Sequence, residues 1–336
     1  MKKEAMLYEK LGDNYVQCYL CAHECKIKDT GFGICAVRQN IDGTLYTLVY
    51  AQALAANIDP IEKKPLYHFL PGSRSYSIAT AGCNFQCDFC QNWNISQISR
   101  ETKGELPGYD LPPAKVVENA RENNCRSISY TYTEPTIFFE YAYDTAKLAK
   151  EAGLKNVFVT NGYMATQAID TIAPFLDAAN VDLKAFSEEY YRRNCKGRLQ
   201  PVLGSITHMK KHDIWVEVTT LVIPGENDSE EELEQIAEFI AGVSVDTPWH
   251  ISRFHPDYKF SDHSATPVET LQKAREIGKK HGLHYIYLGN VQEEADTHCY
   301  NCGQLLVQRR YMGTDQIYLK NGRCPSCETP ISGIWQ

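Results

Sequence analysis

Between about residues 75 and 290, short runs rich in β-branched and aromatic side chains alternate with longer stretches of helical period. The runs SYSIAT (75–80), SISYTY (127–132), NVFVTN (156–161), NVDLKA (180–185), WVEVTTLVI (215–223), WHISRF (249–254) and YIYLGN (285–290) are strand candidates. Between them, stretches such as PTIFFEYAYDTAKLAKEAG and SEEELEQIAEFIAG place apolar residues three and four apart, as a helix with one buried face requires. Ser229 with Glu232, and Thr266 with Pro267 and Glu269, fit capping boxes that mark two helix starts. This alternation predicts a parallel sheet with crossover helices, as an open doubly wound sheet or as a full or partial α/β barrel. In each case ligands gather at the carboxyl ends of the strands.

The chain has 336 residues, 43% of them hydrophobic, enough for a large core with one or two small satellites. Its formal net charge of −8 argues against broad, nonspecific binding to nucleic acid or to an anionic membrane. No apolar run reaches the ~18–20 residues of a membrane span. The opening MKKEAMLYEKLGDNY contains no continuous apolar stretch suited to a signal peptide, so a cytoplasmic protein is expected. Thirteen cysteines change the picture, because eleven fall into three clusters, and in a reducing compartment such clusters read as metal sites. They are Cys18, Cys21, Cys25 and Cys35; Cys83, Cys87 and Cys90; and Cys299, Cys302, Cys324 and Cys327.

The middle cluster follows the first strand candidate on a glycine-entered loop, in the spacing C-x3-C-x2-C. Three thiolates on a cubane 4Fe–4S cluster leave one iron without a protein ligand. An open metal position suits catalysis, whereas structural sites are closed. The plainer reading is a structural zinc or cluster whose fourth ligand comes from elsewhere in the chain.

CNFQCDFC, with Phe89 as its aromatic, resembles the signature of the radical S-adenosylmethionine (SAM) superfamily. The resemblance implies a partial (β/α)6 barrel holding a 4Fe–4S cluster whose open iron is chelated by SAM. It also implies reductive cleavage to methionine and a 5′-deoxyadenosyl radical, which takes a hydrogen atom from the substrate. Thr133-Glu134-Pro135 falls where the family holds the SAM amino group, and a carboxylate facing an ammonium is a sound physical choice there. Thr160-Asn161-Gly162 and Asp182-Leu183-Lys184 resemble segments of pyruvate formate-lyase activating enzyme that hold the SAM carboxylate and ribose. Where that enzyme has a cation-binding aspartate this chain has Val159, which leaves a cation site without its ligand. Glu217 and Thr219 share one face of the fifth strand, and His255 resembles the family's histidine near the adenosine. Against these stand plainer roles: Glu134 as a helix cap, Asp182 and Lys184 as an ion pair, His255 as a loop histidine.

Cys299-x2-Cys302 and Cys324-x2-Cys327 form two knuckles 21 residues apart, which reads as a zinc ribbon, with a rubredoxin-type iron as the other option. QRRY within its spacer is a candidate nucleic-acid contact or, more simply, a solvated hairpin face. For Cys18-x2-Cys21-x3-Cys25-x9-Cys35, zinc and a second 4Fe–4S cluster both fit, and His23 is a candidate substitute ligand. The expected organisation is a small N-terminal metal-binding segment with four cysteines (1–72), a radical SAM barrel (73–292) and a zinc ribbon (293–336). CYLCAHECKI, GFGICAVRQN, DPIEKKPLYHFLPGS and CNFQCDFCQNWNISQ, together with the ribbon, resemble the radical SAM enzyme of the AmmeMemoRadiSam system. That resemblance implies Memo-like and AMMECR-type partners, and the superfamily implies reduced ferredoxin or flavodoxin as electron donor.

Of the remaining cysteines, Cys125 reads as a small buried hydrophobe, and Cys195, in YYRRNCKGRLQ, as a candidate hydrogen-atom donor at the barrel mouth. Lys63, Lys64 and His68 are weaker candidates for lining that mouth. Three functions compete: a radical SAM enzyme acting on a small-molecule or partner-held substrate, a glycyl-radical-enzyme activase, and a zinc-ribbon binding module with a vestigial barrel. The intact cysteine loop with TEP, TNG and DLK disfavours the third.

Overall fold

The computed structural model describes residues 2–102, 104–293 and 295–336. Eight strands form the central sheet: β1 (Ala55–Pro60), β2 (Arg74–Ala79), β3 (Ser127–Tyr130), β4 (Lys155–Thr160), β5 (Ala178–Asp182), β6 (Trp215–Val222), β7 (Trp249–Arg253) and β8 (Ile286–Gly289). They lie in the order β8-β7-β6-β5-β4-β3-β2-β1, an open array. Strands β2 to β8 are parallel and coincide with the seven sequence candidates to within one or two residues at most ends. The six strands implied by the superfamily are thus extended by a seventh at one edge and by β1, antiparallel to β2, at the other.

Helices connect the parallel strands: α1 (Pro113–Glu122), α2 (Phe139–Glu151), α3 (Thr166–Ile172), α4 (Leu199–Lys211), α5 (Glu230–Val243) and α6 (Val268–Lys280). They cover the strands from outside, which is why β3 and most of β6 are buried along their length even though Ser127, Ser129, Glu217, Thr219 and Thr220 lie among their residues. Ser229 caps α5, its hydroxyl accepting from Glu232 N at 3.2 Å. The Glu232 carboxylate accepts from Phe186 N at 2.7 Å, so only half of the expected box forms. Thr266 does not cap α6. Its hydroxyl donates to Val222 O (2.6 Å) and accepts from Phe254 N (3.0 Å), tying the loop to two strands. Among the described residues, no helix is long and apolar enough to cross a membrane.

The flanking parts close the two ends of the sheet. N-terminal hairpins, Tyr8–Lys10 with Val16–Cys18 and Arg38–Ile41 with Thr44–Thr47, dock on α2 through a buried ion pair of Arg38 with Glu140. The ribbon strands β9 (Thr297–His298), β10 (Leu305–Arg310) and β11 (Gly313–Ile317) pack at the amino ends of the parallel strands. Between ribbon and barrel runs the segment after β1. Tyr67 N and His68 N donate to Glu217 at 3.0 and 2.8 Å, and Arg309 donates to Tyr67 O at 2.7 Å. His68 Nδ1 donates to Ser332 O, its Nε2 accepts from Tyr287 Oη, both at 2.7 Å, and Leu70 N donates to Ile334 O at 2.6 Å. This polar plug floors the barrel. Arg309, the first arginine of QRRY, belongs to the floor, and Arg310 is exposed beside Asp315.

Candidate active site

At the carboxyl ends of the strands lies a cavity of about 500 Å³. Its walls are the loop after β2, the β3 and β4 ends, Asp182 at the end of β5 with Lys184 just beyond, Thr219 and Leu221 of β6, and Ser252 of β7. The loop enters through Gly82, whose φ of +100° and close approach to Val37 (2.7 Å from an added Cβ) leave no room for a side chain. Cys83, Cys87 and Cys90 then face the cavity together.

Hydrogen-bond donors surround these sulfurs. Phe85 N lies 3.3 Å and Asn161 Nδ2 3.8 Å from Cys83 Sγ, and Ser96 Oγ lies 3.3 Å from Cys90 Sγ. Burial pushes the Cys83 and Cys90 thiols up, and for Cys87 the hydrogen bond with Cys195 leads, followed by burial. Such thiols become thiolates only with a cationic partner, and the donor set of three sulfurs with N–H and O–H neighbours fits a 4Fe–4S cluster. Among the described residues, no fourth cysteine lines the cavity side of that site.

Glu134 shows that two readings set against each other in the sequence coexist. Its Oε1 accepts from Thr136 N (3.0 Å), Thr136 Oγ1 (2.5 Å) and Thr160 Oγ1 (2.7 Å), and its Oε2 from Asn161 N (2.8 Å). It therefore caps the turn at Pro135 and locks the β3 loop to the β4 loop while also lining the cavity. Burial pushes its carboxyl up, and the Thr136, Asn161 and Thr160 donors oppose this. Lys184 pairs with Asp182 at 2.9 Å, and both line the cavity, with Lys184 Nζ 5.6 Å from the Phe89 ring centroid. Burial opposes the Lys184 charge, but Asp182 and Cys87 outweigh it, so the ammonium is kept.

Most sequence candidates meet at this cavity: Phe89, Thr133, Glu134, Thr160, Asn161, Asp182, Lys184 and Thr219 line it, with Lys63 and Lys64 at its edge. Burial pushes Lys64 down to about 8, against the stabilising carboxylate of Asp59. Pro135 is buried in the turn behind the cavity. His255 is exposed, touching the cavity only through Gln91 at 3.2 Å. Three placements differ from expectation. Glu217 lies one pleat repeat deeper than Thr219 and is consumed by the floor, accepting from Tyr67 N, His68 N, Trp215 Nε1 and His250 Nε2. His68 is in the floor, not at the mouth. Cys195 is fully buried and does not line the cavity; its carbonyl accepts from Gln86 N at 3.0 Å and its thiol lies against that of Cys87, so it braces the cysteine loop from behind.

Sequence reasoning missed Tyr132, a cavity residue held at φ +61° whose hydroxyl donates to Asp59. It also missed Asn92, which donates to Tyr132 O at 2.9 Å. The NWN run after the last cysteine was the available signal for Asn92; nothing marked Tyr132. Cys125 is buried as expected, and His23 Nε2 donates to Asn84 O at 2.8 Å, which occupies that nitrogen.

A family model described as the radical SAM superfamily matches residues 77–240. An uncharacterized protein of Methanocaldococcus jannaschii is 44% identical over 334 residues, covering 98% of each chain. Another protein of that organism, whose name assigns it provisionally to glycyl-radical enzyme activation, is 27% identical over 231 residues, covering 67% of this chain and 82% of its own. The crystal structure of a radical SAM methyltransferase from Sphaerobacter thermophilus aligns with a TM-score of 0.52 at 17% identity, over 70% of this chain and 71% of that one, a likeness of fold.

Proposed function

The chain belongs to the radical SAM superfamily, and from that membership we propose that this enzyme binds SAM above Cys83, Cys87 and Cys90 and takes a hydrogen atom from a small-molecule or partner-held substrate. When bound by those thiolates, a 4Fe–4S cluster supplies the electron that splits the sulfonium bond to methionine and a 5′-deoxyadenosyl radical. The observation that carries the reading is one cavity faced by three thiols, a buried carboxylate and the Asn161, Asp182 and Lys184 side chains.

Each residue's part follows from its surroundings. Glu134 has an acceptor site left on Oε2 beyond its bond to Asn161 N, and there it would meet the SAM ammonium with water largely excluded. Lys184 is a donor placed for a carboxylate, Asn161 spends its amide on Asn84 Oδ1 (2.8 Å) and Cys83 Sγ and so holds the cysteine loop beside it, and Asp182 and Thr219 are placed for ribose hydroxyls. The Phe89 ring and Leu221 give an apolar wall against which a reactive carbon is shielded from solvent. Ferredoxin or flavodoxin is the proposed donor, zinc the proposed ion of the ribbon, and Memo-like and AMMECR-type proteins the proposed partners. The proposed division remains a metal segment (1–72), barrel (73–292) and ribbon (293–336), with β1 and the floor segment contributed across the first boundary.

A second reading, activation of a glycyl-radical enzyme, is favoured by the relative named for that activity. The two separate on the product: a glycyl radical on a partner gives a protein-borne EPR doublet, a small-molecule substrate does not. For the shared chemistry, anaerobically reconstituted protein reduced with dithionite should release 5′-deoxyadenosine from SAM, measured by chromatography. The Cys83→Ala, Cys87→Ala, Cys90→Ala triple variant should release none, and intact cleavage in it would sink the proposal.

A further inference from the structure

The three cysteine sets differ in how closely their sulfurs approach. In the ribbon, Cys299 Sγ lies 3.6 Å from Cys327 Sγ and Cys302 Sγ 3.6 Å from Cys324 Sγ, and all four fall within 4.8 Å of one another. That matches a tetrahedron around one ion with metal–sulfur bonds of about 2.3 Å. Among the described residues, neither Cys18, Cys21, Cys25 and Cys35 nor Cys83, Cys87 and Cys90 make such a close group. Cys18, Cys21, Cys25 and Cys35 instead surround an enclosed cavity, walled by Leu20, Ile27 and Ile137, that admits a water-sized sphere between the sulfurs. A sulfur tetrahedron closed on a single ion has no interior for even one water-sized sphere. The cube of a 4Fe–4S cluster, with an iron at alternate corners, holds its thiolates further apart.

We propose that Cys18, Cys21, Cys25 and Cys35 hold a second 4Fe–4S cluster, which passes electrons to the site at Cys83, Cys87 and Cys90. Four thiolates leave no open iron, so this cluster binds no SAM and serves electron transfer. Its shell has the donors such a centre uses: Arg38 Nη1 lies 3.4 Å from Cys18 Sγ, and Ile34 N 3.5 Å from Cys25 Sγ. At Gly33 an added Cβ would stand 3.8 Å from both Cys25 Sγ and Cys35 Sγ, so bare backbone closes over the space between them.

The two sets are also in contact. Ser99 Oγ donates to Cys35 O at 3.0 Å, and that carbonyl lies 3.3 Å from where a Cβ would sit on Gly82, the residue before Cys83. A second bridge is the His23 bond to Asn84 O, with Asn84 the residue after Cys83. A low-potential one-electron donor protein, a reduced flavodoxin or ferredoxin, would lose one electron and the N-terminal cluster would pass from its 2+ to its 1+ state. Handing that electron on restores the 2+ state, and no atoms are transferred.

The relay rests on the function proposed above, but the cluster does not, and the test keeps them apart. The full-length triple variant at Cys83, Cys87 and Cys90, reconstituted anaerobically with iron and sulfide, should retain about four irons and four sulfides, against about eight of each in the unmodified protein. On reduction it should show the EPR signal of a single 4Fe–4S centre, and zinc should stay near one per chain. Loss of all iron with about two zincs per chain would overturn the cluster. Cys25→Ser in the otherwise unmodified protein should lose about half of the iron. In the unmodified reduced protein, two neighbouring paramagnetic clusters should broaden each other's EPR lines, and two independent signals would overturn the relay. About eight irons with broadened lines but no SAM cleavage would support the relay cluster and defeat the catalytic reading instead.

Discussion

At the level of single residues, height along the barrel separates Thr219, which lines the cavity, from Glu217, which accepts two backbone N–H groups of the floor. Strand alternation put Glu217 and Thr219 on the same face, correctly. It says nothing of height along the barrel, and two residues of rise, about 6.6 Å, separate a cavity wall from a floor anchor. Glu134 was identified from its position after the second parallel strand, yet its four donors make it both scaffold and cavity group. Glu134→Gln must point an amide N–H at one of these donors. It should therefore lower stability by ~1–3 kcal/mol and also weaken SAM binding, seen by thermal melts and by calorimetric titration on the same variant. A stability loss with unchanged SAM affinity would leave it a scaffold residue alone. His68 gives a pH test: burial, which leads, outweighs Glu217 and lowers it to about 4. The unfolded chain takes up this proton near its ordinary value of about 6.5, so stability is full above that pH and falls as pH drops towards about 4. The loss attributable to this residue should be ~3 kcal/mol at most, and His68→Gln should flatten the urea-unfolding profile over that window.

At the level of elements, the parallel strands were readable because helices cover them from outside and drive their composition towards β-branched and aromatic residues. The antiparallel edge, AANIDP, escaped because only Asp59 of its six residues is buried and it ends in proline, which an edge strand tolerates and a central one does not. The turn Tyr191–Cys195 escaped too, since a π-type turn has no period of its own to detect. It matters because Asn194 and Cys195 carbonyls accept from Asp88 and Gln86 amides, both at 3.0 Å, on either side of Cys87. Just beyond, a Cβ on Gly197 would lie 2.4 Å from the buried Phe85 ring. Gly197→Ala should therefore displace Phe85 and lower the iron retained at the Cys83 site after reconstitution, with the metal content of the ribbon unchanged. Full iron occupancy in that variant would show that the loop tolerates the shift.

At the level of the whole molecule, the ribbon and the barrel were each legible as separate cysteine patterns, but their union was not, because it depends on a buried arginine and a histidine whose sequence contexts pointed elsewhere, Arg309 to a hairpin face or nucleic acid and His68 to the barrel mouth. Arg309 reaches Tyr67 O and Thr297, and Ser332 and Ile334 bond to the segment around His68. Removal of the ribbon metal with a strong chelator, or Cys302→Ser with Cys327→Ser, should therefore lower the melting temperature of the barrel itself and not merely unfold a tail. A separate low-temperature transition with the main one unmoved would argue that the floor holds without the ribbon. The His68–Ser332 bond spans 264 residues. At roughly 5–20 residues per second of synthesis, the two partners emerge tens of seconds apart. All seven N-terminal and catalytic-loop cysteines are made long before the last strand of the floor exists, so a ribosome stalled near residue 330 presents finished ligand loops on an unfinished vessel. The order of translation therefore separates two events in time: a nascent chain loaded with iron early would carry it before Ser332 and Ile334 have bonded the segment around His68.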